Sequence, residues 1–399
     1  MFDALTPTPP DALMRAARAF AMDTRPEKIN LGIGIYYDDA GRIPILRAVR
    51  EAETHLIEGD RPWSYLLAEG FHPLIDNALR LAVGDVIADE VGSRTATLQT
   101  IGGTGAIRLG AEIIKSLSPD IVVAVSRPSW PNHEAILRAV GLEVRHYAYH
   151  NIDRNGVDIQ GMCSDLERLP PGSVVVLHAC CHNPTGWDPT ETQRADILNV
   201  IVRRQLVPFV DMAYQGFGDG FYADSAFVRA IISSCESVFL ALSFSKSFAL
   251  YGERVGALCV LTKNARQANL AAERARAITR TLHSSPPTHG ALLVSEVFND
   301  AALQALWQSE LEDMRLRITR LRTTLVEHLH DGNNPRDFSF IADQKGLFSY
   351  AGLNSSQISV LRDKFAIHAI EDGRLCLAAL NAANIGRVAD AIRQVCMQL

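Results

Sequence analysis

Val238-Phe239-Leu240-Ala241-Leu242-Ser243-Phe244-Ser245-Lys246-Ser247-Phe248-Ala249-Leu250-Tyr251-Gly252-Glu253-Arg254 is the stretch on which the reading of this chain turns. It opens as an apolar run with the length and composition of a fully buried strand. One lysine then stands among serines and aromatics, and an arginine follows eight residues later. An ammonium in such surroundings loses hydration, which lowers its pKa and frees the amine as a nucleophile. A nucleophilic lysine in a mostly apolar pocket is what a Schiff base with an aldehyde requires. The chain has six lysines against 33 arginines. The other five (Lys28, Lys115, Lys263, Lys345 and Lys364) sit in polar or helical contexts that read as solvated surface. The competing reading of Lys246 is a lysine at a strand end, snorkelling to water.

Working outward, Thr95 begins a repeated strand, turn and helix pattern. Strands are predicted over 96–101, 121–126, 142–147, 173–178, 207–211, 238–242 and 256–261, with helical patterns over 106–117, 132–140 and 191–204 between them. This alternation predicts an α/β domain around a mainly parallel, buried sheet, and ligands of such sheets bind at the carboxyl ends of the strands. Gly102-Gly103-Thr104-Gly105 follows the first strand and opens a helix. Small residues and a helix N-terminus suit an anion, although neither the dinucleotide fingerprint nor the P-loop lysine is present. Trp130, beside Pro131, follows the second strand and suits either stacking on a flat ring or core packing. Asn183 lies in the polar turn after the fourth strand. Asp211 ends the apolar fifth strand, with Tyr214 just beyond, and a carboxylate there is better explained if it faces a cation. A phosphate cup, a stacking ring, a carboxylate, a Schiff-base lysine and an arginine form the set that pyridoxal phosphate needs.

Elsewhere, helices are predicted over 11–22, 45–58, 264–279 and 302–330, with an extended piece over 29–36 and breaks at Arg61-Pro62 and Ser284–Pro287. The segment 338–399 mixes short strands and helices, as a smaller α+β domain does.

With 47% hydrophobic and 21% charged residues, and a net charge of −6, the composition is that of a soluble globular enzyme. No basic stripe suggests nucleic acid or an anionic membrane. No apolar run approaches the ~18 residues of a membrane span, and Met1–Pro10 carries no secretory signal pattern. The seven cysteines, with Cys180 and Cys181 adjacent, lack CxxC spacing and read as reduced residues of a cytoplasmic protein, with no metal site.

The chain resembles the aspartate/aromatic aminotransferase family of fold-type I pyridoxal-phosphate enzymes along nearly its whole length. The resemblance rests on Asn30–Gly34, Gly102–Gly105, Pro128–His133, Cys180–Gly186, Ala213–Phe217, Ser243–Lys246 and Gly373-Arg374. It implies a large cofactor-binding domain over 46–311 and a small α+β domain built from 1–45 and 312–399. Lys246 would form the Schiff base and move the proton at the substrate Cα. Asp211 would hold the pyridinium nitrogen charged, with His133 behind it. Asn183 and Tyr214 would hydrogen-bond the phenolic oxygen, and Trp130 would stack on the ring. Gly103, Thr104, Ser243 and Arg254 would hold the phosphate, joined by Tyr65 of a neighbouring subunit. Arg374 would clamp the substrate α-carboxylate, with Gly34 lining the lid and Phe348 also in the substrate site. Arg280, again from the neighbour, would pair with a distal carboxylate, so an obligate homodimer is implied.

Residues 243–254 and 374–381 look more like the bacterial aromatic branch than the strict aspartate branch. Leu282, His283 and Arg61–Ser64 depart from the family pattern where the substrate side chain would sit. The activity implied is a ping-pong transfer from tyrosine or phenylalanine, with aspartate also accepted, to 2-oxoglutarate. The rivals are a strict aspartate aminotransferase, another reaction on the same cofactor, such as a lyase, decarboxylase or racemase, and a non-catalytic sensor.

Overall fold

The computed structural model describes residues 2, 6, 12–59, 63–151, 155–330 and 336–398. Asp11, expected to begin the first helix, and Arg61-Pro62, expected to break the pattern, lie outside these residues; the helix is seen over Ala12–Met22.

Two compact units are formed, residues 1–43 with 317–399, and residues 44–316. The second unit holds a seven-stranded sheet: β1 (Thr95–Ile101), β2 (Val122–Arg127), β3 (Glu143–Ala148), β4 (Val174–His178), β5 (Val207–Met212), β6 (Val238–Ser243) and β7 (Val255–Leu261). Their spatial order is β1-β7-β6-β5-β4-β2-β3. Only β7 runs against its neighbours, pairing antiparallel with both β1 and β6. Every residue of β6 and β7 is buried, so their sequences read as unbroken apolar runs rather than alternating ones.

The reversed direction of β7 matters for the site. A strand that runs backwards starts where its neighbours end, so Arg254, just before β7, comes to the same edge as the residues that follow β1, β2, β4, β5 and β6. Helix α1 (Gly102–Leu117) packs on β1, β6 and β7. Its Gly110 lies so close to Phe209 of β5 that a Cβ there would sit 2.4 Å from the ring. Helices α2 (Pro131–Ala139) and α3 (Glu191–Arg203) follow β2 and β4; α4 (Ala265–Leu282) and α5 (Ala301–His330) follow β7. A reciprocal cap between Thr190 and Gln193 starts α3. Further helices at 72–83, 85–91, 159–167, 226–234 and 289–299 carry no mark in the sequence reading. Among the described residues no helix is long and apolar enough to cross a membrane.

The other unit pairs Ile29–Asn30 in parallel with Ile367–His368, and Phe348–Tyr350 antiparallel with Arg374–Cys376, beside helices over Ser355–Phe365 and Ile385–Gln398. The extended piece expected over 29–36 is shorter than read. The Asn30 side chain accepts from Gly32 N at 3.0 Å, and Ile35 N bonds Ile33 O, so the chain bends out of the strand. Lys28 also departs from the solvated-surface reading. It is half-buried, and its Nζ donates to the carbonyls of Phe20 and Asp23.

Candidate active site

Lys246 stands in the turn after β6, half-buried, with Nζ 4.8 Å from the centroid of the Tyr214 ring. The Tyr214 hydroxyl is 3.5 Å from Asn183 Nδ2. The turn carrying Asn183 is held by Asp188, whose carboxylate accepts the backbone N–H groups of Cys181 and His182. Asp211 is buried at 7% exposure, and its Oδ2 lies 2.9 Å from His133 Nε2. A carboxylate accepts only, so the ring donates from Nε2; Nδ1 then faces the Ser129 hydroxyl at 3.0 Å. Burial by itself raises the Asp211 pKa. The hydrogen bond and charge of His133, with a smaller contribution from Lys246, outweigh it, and the carboxyl is held below its usual value. The sheet edge therefore presents a fixed anion in the field of an amine. Trp130 packs edge-on against His133, ring centroids 5.2 Å apart.

The glycine turn and Arg254 form a cradle. Gly102 has φ +62°, and a Cβ on it would lie 2.7 Å from the Arg254 guanidinium; on Gly103 a Cβ would lie 3.0 Å from that of Ser243. The left-handed φ favours glycine at 102, and the absence of a side chain at 103 lets Ser243 approach closely. Gly102 N donates to Arg254 O, while Arg254 Nη1 reaches Ser245 Oγ and Tyr251 O, each at 3.3 Å. Among the described residues Arg254 has no carboxylate partner. Thr104 lies one residue further along α1. An unneutralised guanidinium, serine hydroxyls and the N-terminal amides of a sixteen-residue helix fit a phosphate monoester.

Arg374, Gly34 and Phe348 come together in the other unit. The Arg374 guanidinium lies 4.3 Å over the Phe348 ring and donates to Gly32 O, and a Cβ on Gly34 would lie 2.5 Å from the same ring. Arg280, in the last turn of α4, is exposed and donates to Ser284 Oγ. Tyr65 is 92% exposed.

The sequence reading passed over Ser129, Asp188, His178 and Trp307. Ser129 sits within the matched motif Pro128–His133 and Asp188 two residues beyond Cys180–Gly186; they act through ring and backbone contacts, which residue type alone does not reveal. All seven cysteines are free. Among the described residues two groups, His133/His178/Asp211 and Cys180/Cys181/Asp224, hold possible metal-ligand atoms within 4.8 Å of one another. Asp211 is already bonded to His133, and Asp224 accepts N–H groups from Gly216, Gly218 and Asp219.

Burial, and then the neighbouring His133, push His178 down to about 3; burial drives His182 well below its usual value. Both stay neutral in the fold at pH values where an unfolded chain binds protons. Their stabilisation is complete above about pH 6.5 and is lost as pH falls, at up to about 1.4 kcal/mol per pH unit for each histidine. Urea denaturation between pH 7 and 4.5 is expected to show this decline, with a shallower slope for His178→Phe. A variant slope equal to the parent's contradicts the assignment.

The fold is that of the fold-type I pyridoxal-phosphate aminotransferases. An aromatic-amino-acid aminotransferase from Burkholderia pseudomallei, solved covalently bound to pyridoxal phosphate, superposes with a TM-score of 0.96 at 45% identity, covering 99% of both chains. The aspartate aminotransferase of Pseudomonas aeruginosa is 46% identical over 395 residues, 99% of each chain. The aromatic-amino-acid aminotransferase of Escherichia coli is 42% identical, over 96% of this chain and 97% of that one. The aminotransferase class I and II family matches residues 26–392. The chain belongs to that family.

Proposed function

We propose that the protein is a pyridoxal-phosphate-dependent aminotransferase that moves the amino group of an aromatic amino acid, with aspartate also accepted, to 2-oxoglutarate by a ping-pong mechanism. The observation that carries the reading is the sheet edge on which Asp211, ionised and backed by His133, lies in the field of Lys246. Bound pyridoxal phosphate supplies an aldehyde and a ring that draws electrons from the substrate Cα. Lys246 would hold it through Nζ, Asp211 at its ring nitrogen, Asn183 and Tyr214 at its phenolic oxygen, and Trp130 against its ring face. Gly103, Thr104, Ser243 and Arg254 would hold its phosphate. In the reaction Lys246 Nζ would take the proton from the substrate Cα and deliver it to the cofactor carbon that came from the aldehyde, while Asp211 would keep a proton on the ring nitrogen. Arg374 binds the substrate α-carboxylate, with Gly34 and Phe348 beside it.

Two observations support an aromatic donor. Solved relatives at comparable identity bear that name. Beside Arg280, Leu282 is apolar and burial lowers the His283 pKa, so the imidazole there is neutral at physiological pH. In this reading Tyr65 and Arg280 act in the partner's site of a homodimer, which accounts for the exposure of Tyr65 and of Trp63 beside it (84%). Seven free thiols suit a cytoplasmic location.

The deciding experiment is a half-reaction followed by a donor panel. With amino acid alone, one equivalent of 2-oxo acid per site is expected; continuous turnover or carbon dioxide release contradicts transamination. With 2-oxoglutarate present, kcat/KM for tyrosine and phenylalanine is expected to exceed that for aliphatic donors by at least about tenfold. Activity confined to aspartate overturns the aromatic assignment, and a monomer by sedimentation equilibrium overturns the shared site.

A further inference from the structure

The turn that carries Lys246 is held from below by α5. Trp307, fully buried, donates its indole Nε1–H to the carbonyl of Ser247 at 2.8 Å. Its ring stacks on that of Phe248, centroids 4.5 Å apart and planes 15° from parallel. Phe298 meets both rings edge-on, at 5.5 and 5.7 Å, and Phe221 meets Trp307 at 5.2 Å. Both of the residues following Lys246 are therefore tied to one indole, by a hydrogen bond and by a stack. Ala249, next in the turn, has φ +52° and donates its N–H to Lys246 O, so the backbone closes back on the lysine itself. On the other side Ser245 is held by Arg254. Trp307 sits on a helical stripe with Leu303, Leu311 and Met314, all buried, which fixes the indole in turn.

We propose that Trp307 is a positioning residue for the reaction: by holding the 247–248 backbone it sets where the Lys246 amine stands, without touching substrate or cofactor itself. The proposal rests on the assignment of Lys246 above. A buried indole N–H has few alternatives to its one acceptor, and a peptide carbonyl released from it leaves the turn free to shift. Displacements near 1 Å at a reacting group cost about 10²-fold in rate.

Trp307→Phe keeps a ring for the stack and removes the donor. It is expected to lower kcat by about 10- to 100-fold, with the KM for amino acid changed less than about threefold. In the cofactor-free protein, the rate of Lys246 acetylation by acetic anhydride, measured by mass spectrometry against the other five lysines as internal references, is expected to change by at least about threefold. Phe248→Leu removes the stack and keeps the indole bond, and is expected to move both readouts in the same direction by less; it serves alone if Trp307→Phe does not fold. A lower melting temperature with kcat and relative acetylation unchanged shows a purely structural role and overturns the proposal. An inactive parent protein whose Lys246 acetylation still responds to Trp307→Phe would instead count against the assigned reaction, leaving the positioning intact.

Discussion

Replacing Lys246 with alanine is expected to slow transamination by at least about 10⁴-fold while leaving the fold in place. Two functions are lost together, the amine that binds the aldehyde carbon and the base that carries the Cα proton. Proton transfer by a placed side chain alone contributes about 10²- to 10⁴-fold, and covalent attachment adds to it without simple additivity. The structural cost is small because the lysine is only half-buried and the turn around it is held by other groups, namely Ser247 O to Trp307 and Ala249 N to Lys246 O. A melting temperature close to the parent's, with steady-state activity at or below the detection limit, is the expected pair of results. Activity within tenfold of the parent removes Lys246 from the chemistry.

Asp211→Asn is the second large effect. The amide matches the carboxylate in size and keeps an oxygen to accept the His133 N–H, so the buried imidazole retains a partner. What disappears is the charge. In the native protein that charge persists against burial because His133, and then Lys246, favour it. Without it nothing at the sheet edge holds a proton on the cofactor's ring nitrogen, and electron withdrawal from the substrate Cα weakens. A fall in kcat of about 10³-fold, roughly 4 kcal/mol of transition-state stabilisation, is expected. The melting temperature is expected to move by only a few degrees, since shape and hydrogen bonding survive. A variant that retains a tenth or more of parental kcat would show that the anion is not needed.

The two effects draw on residues whose places could be read in the chain. Each of the seven expected strands is present within a residue or so of its expected ends; β6 and β7 are unbroken apolar runs, as strands buried on both faces are, whereas β1 keeps polar positions and β3 exposed ones, and both were legible from their place between helical patterns. The residues after those strands were legible for the same reason: once a strand ends, its next polar residue is at the carboxyl edge. The direction of β7 was not legible. Val255–Leu261 is as apolar as its neighbours, and only pairing with β1 and β6 shows that it runs backwards and so brings Arg254 to the phosphate cradle. Gly32 and Gly34 were visible as glycines in an apolar stretch, but the Asn30 side chain bends the chain where an extended piece was expected.

Residues that act through others left weaker traces. Trp307 reads as one more apolar position on a long helix; the Ser247 carbonyl it holds is sixty positions away. Asp188 looks like a loop acid until its carboxylate is seen accepting the amides of Cys181 and His182. For Arg280 and Arg374 the local sequence suggests surface arginines. Arg374 is in fact 5% exposed, placed over Phe348. Burial of an arginine depends on distant strands closing over it, which no local pattern records.

A single lysine is expected to bear the cofactor, and borohydride reduction followed by peptide mapping reads this directly. The purified protein, loaded with pyridoxal phosphate and reduced, is expected to carry one phosphopyridoxyl group, on the peptide containing Lys246. A group found on any of the other five lysines instead, or no fixed adduct at all, contradicts it.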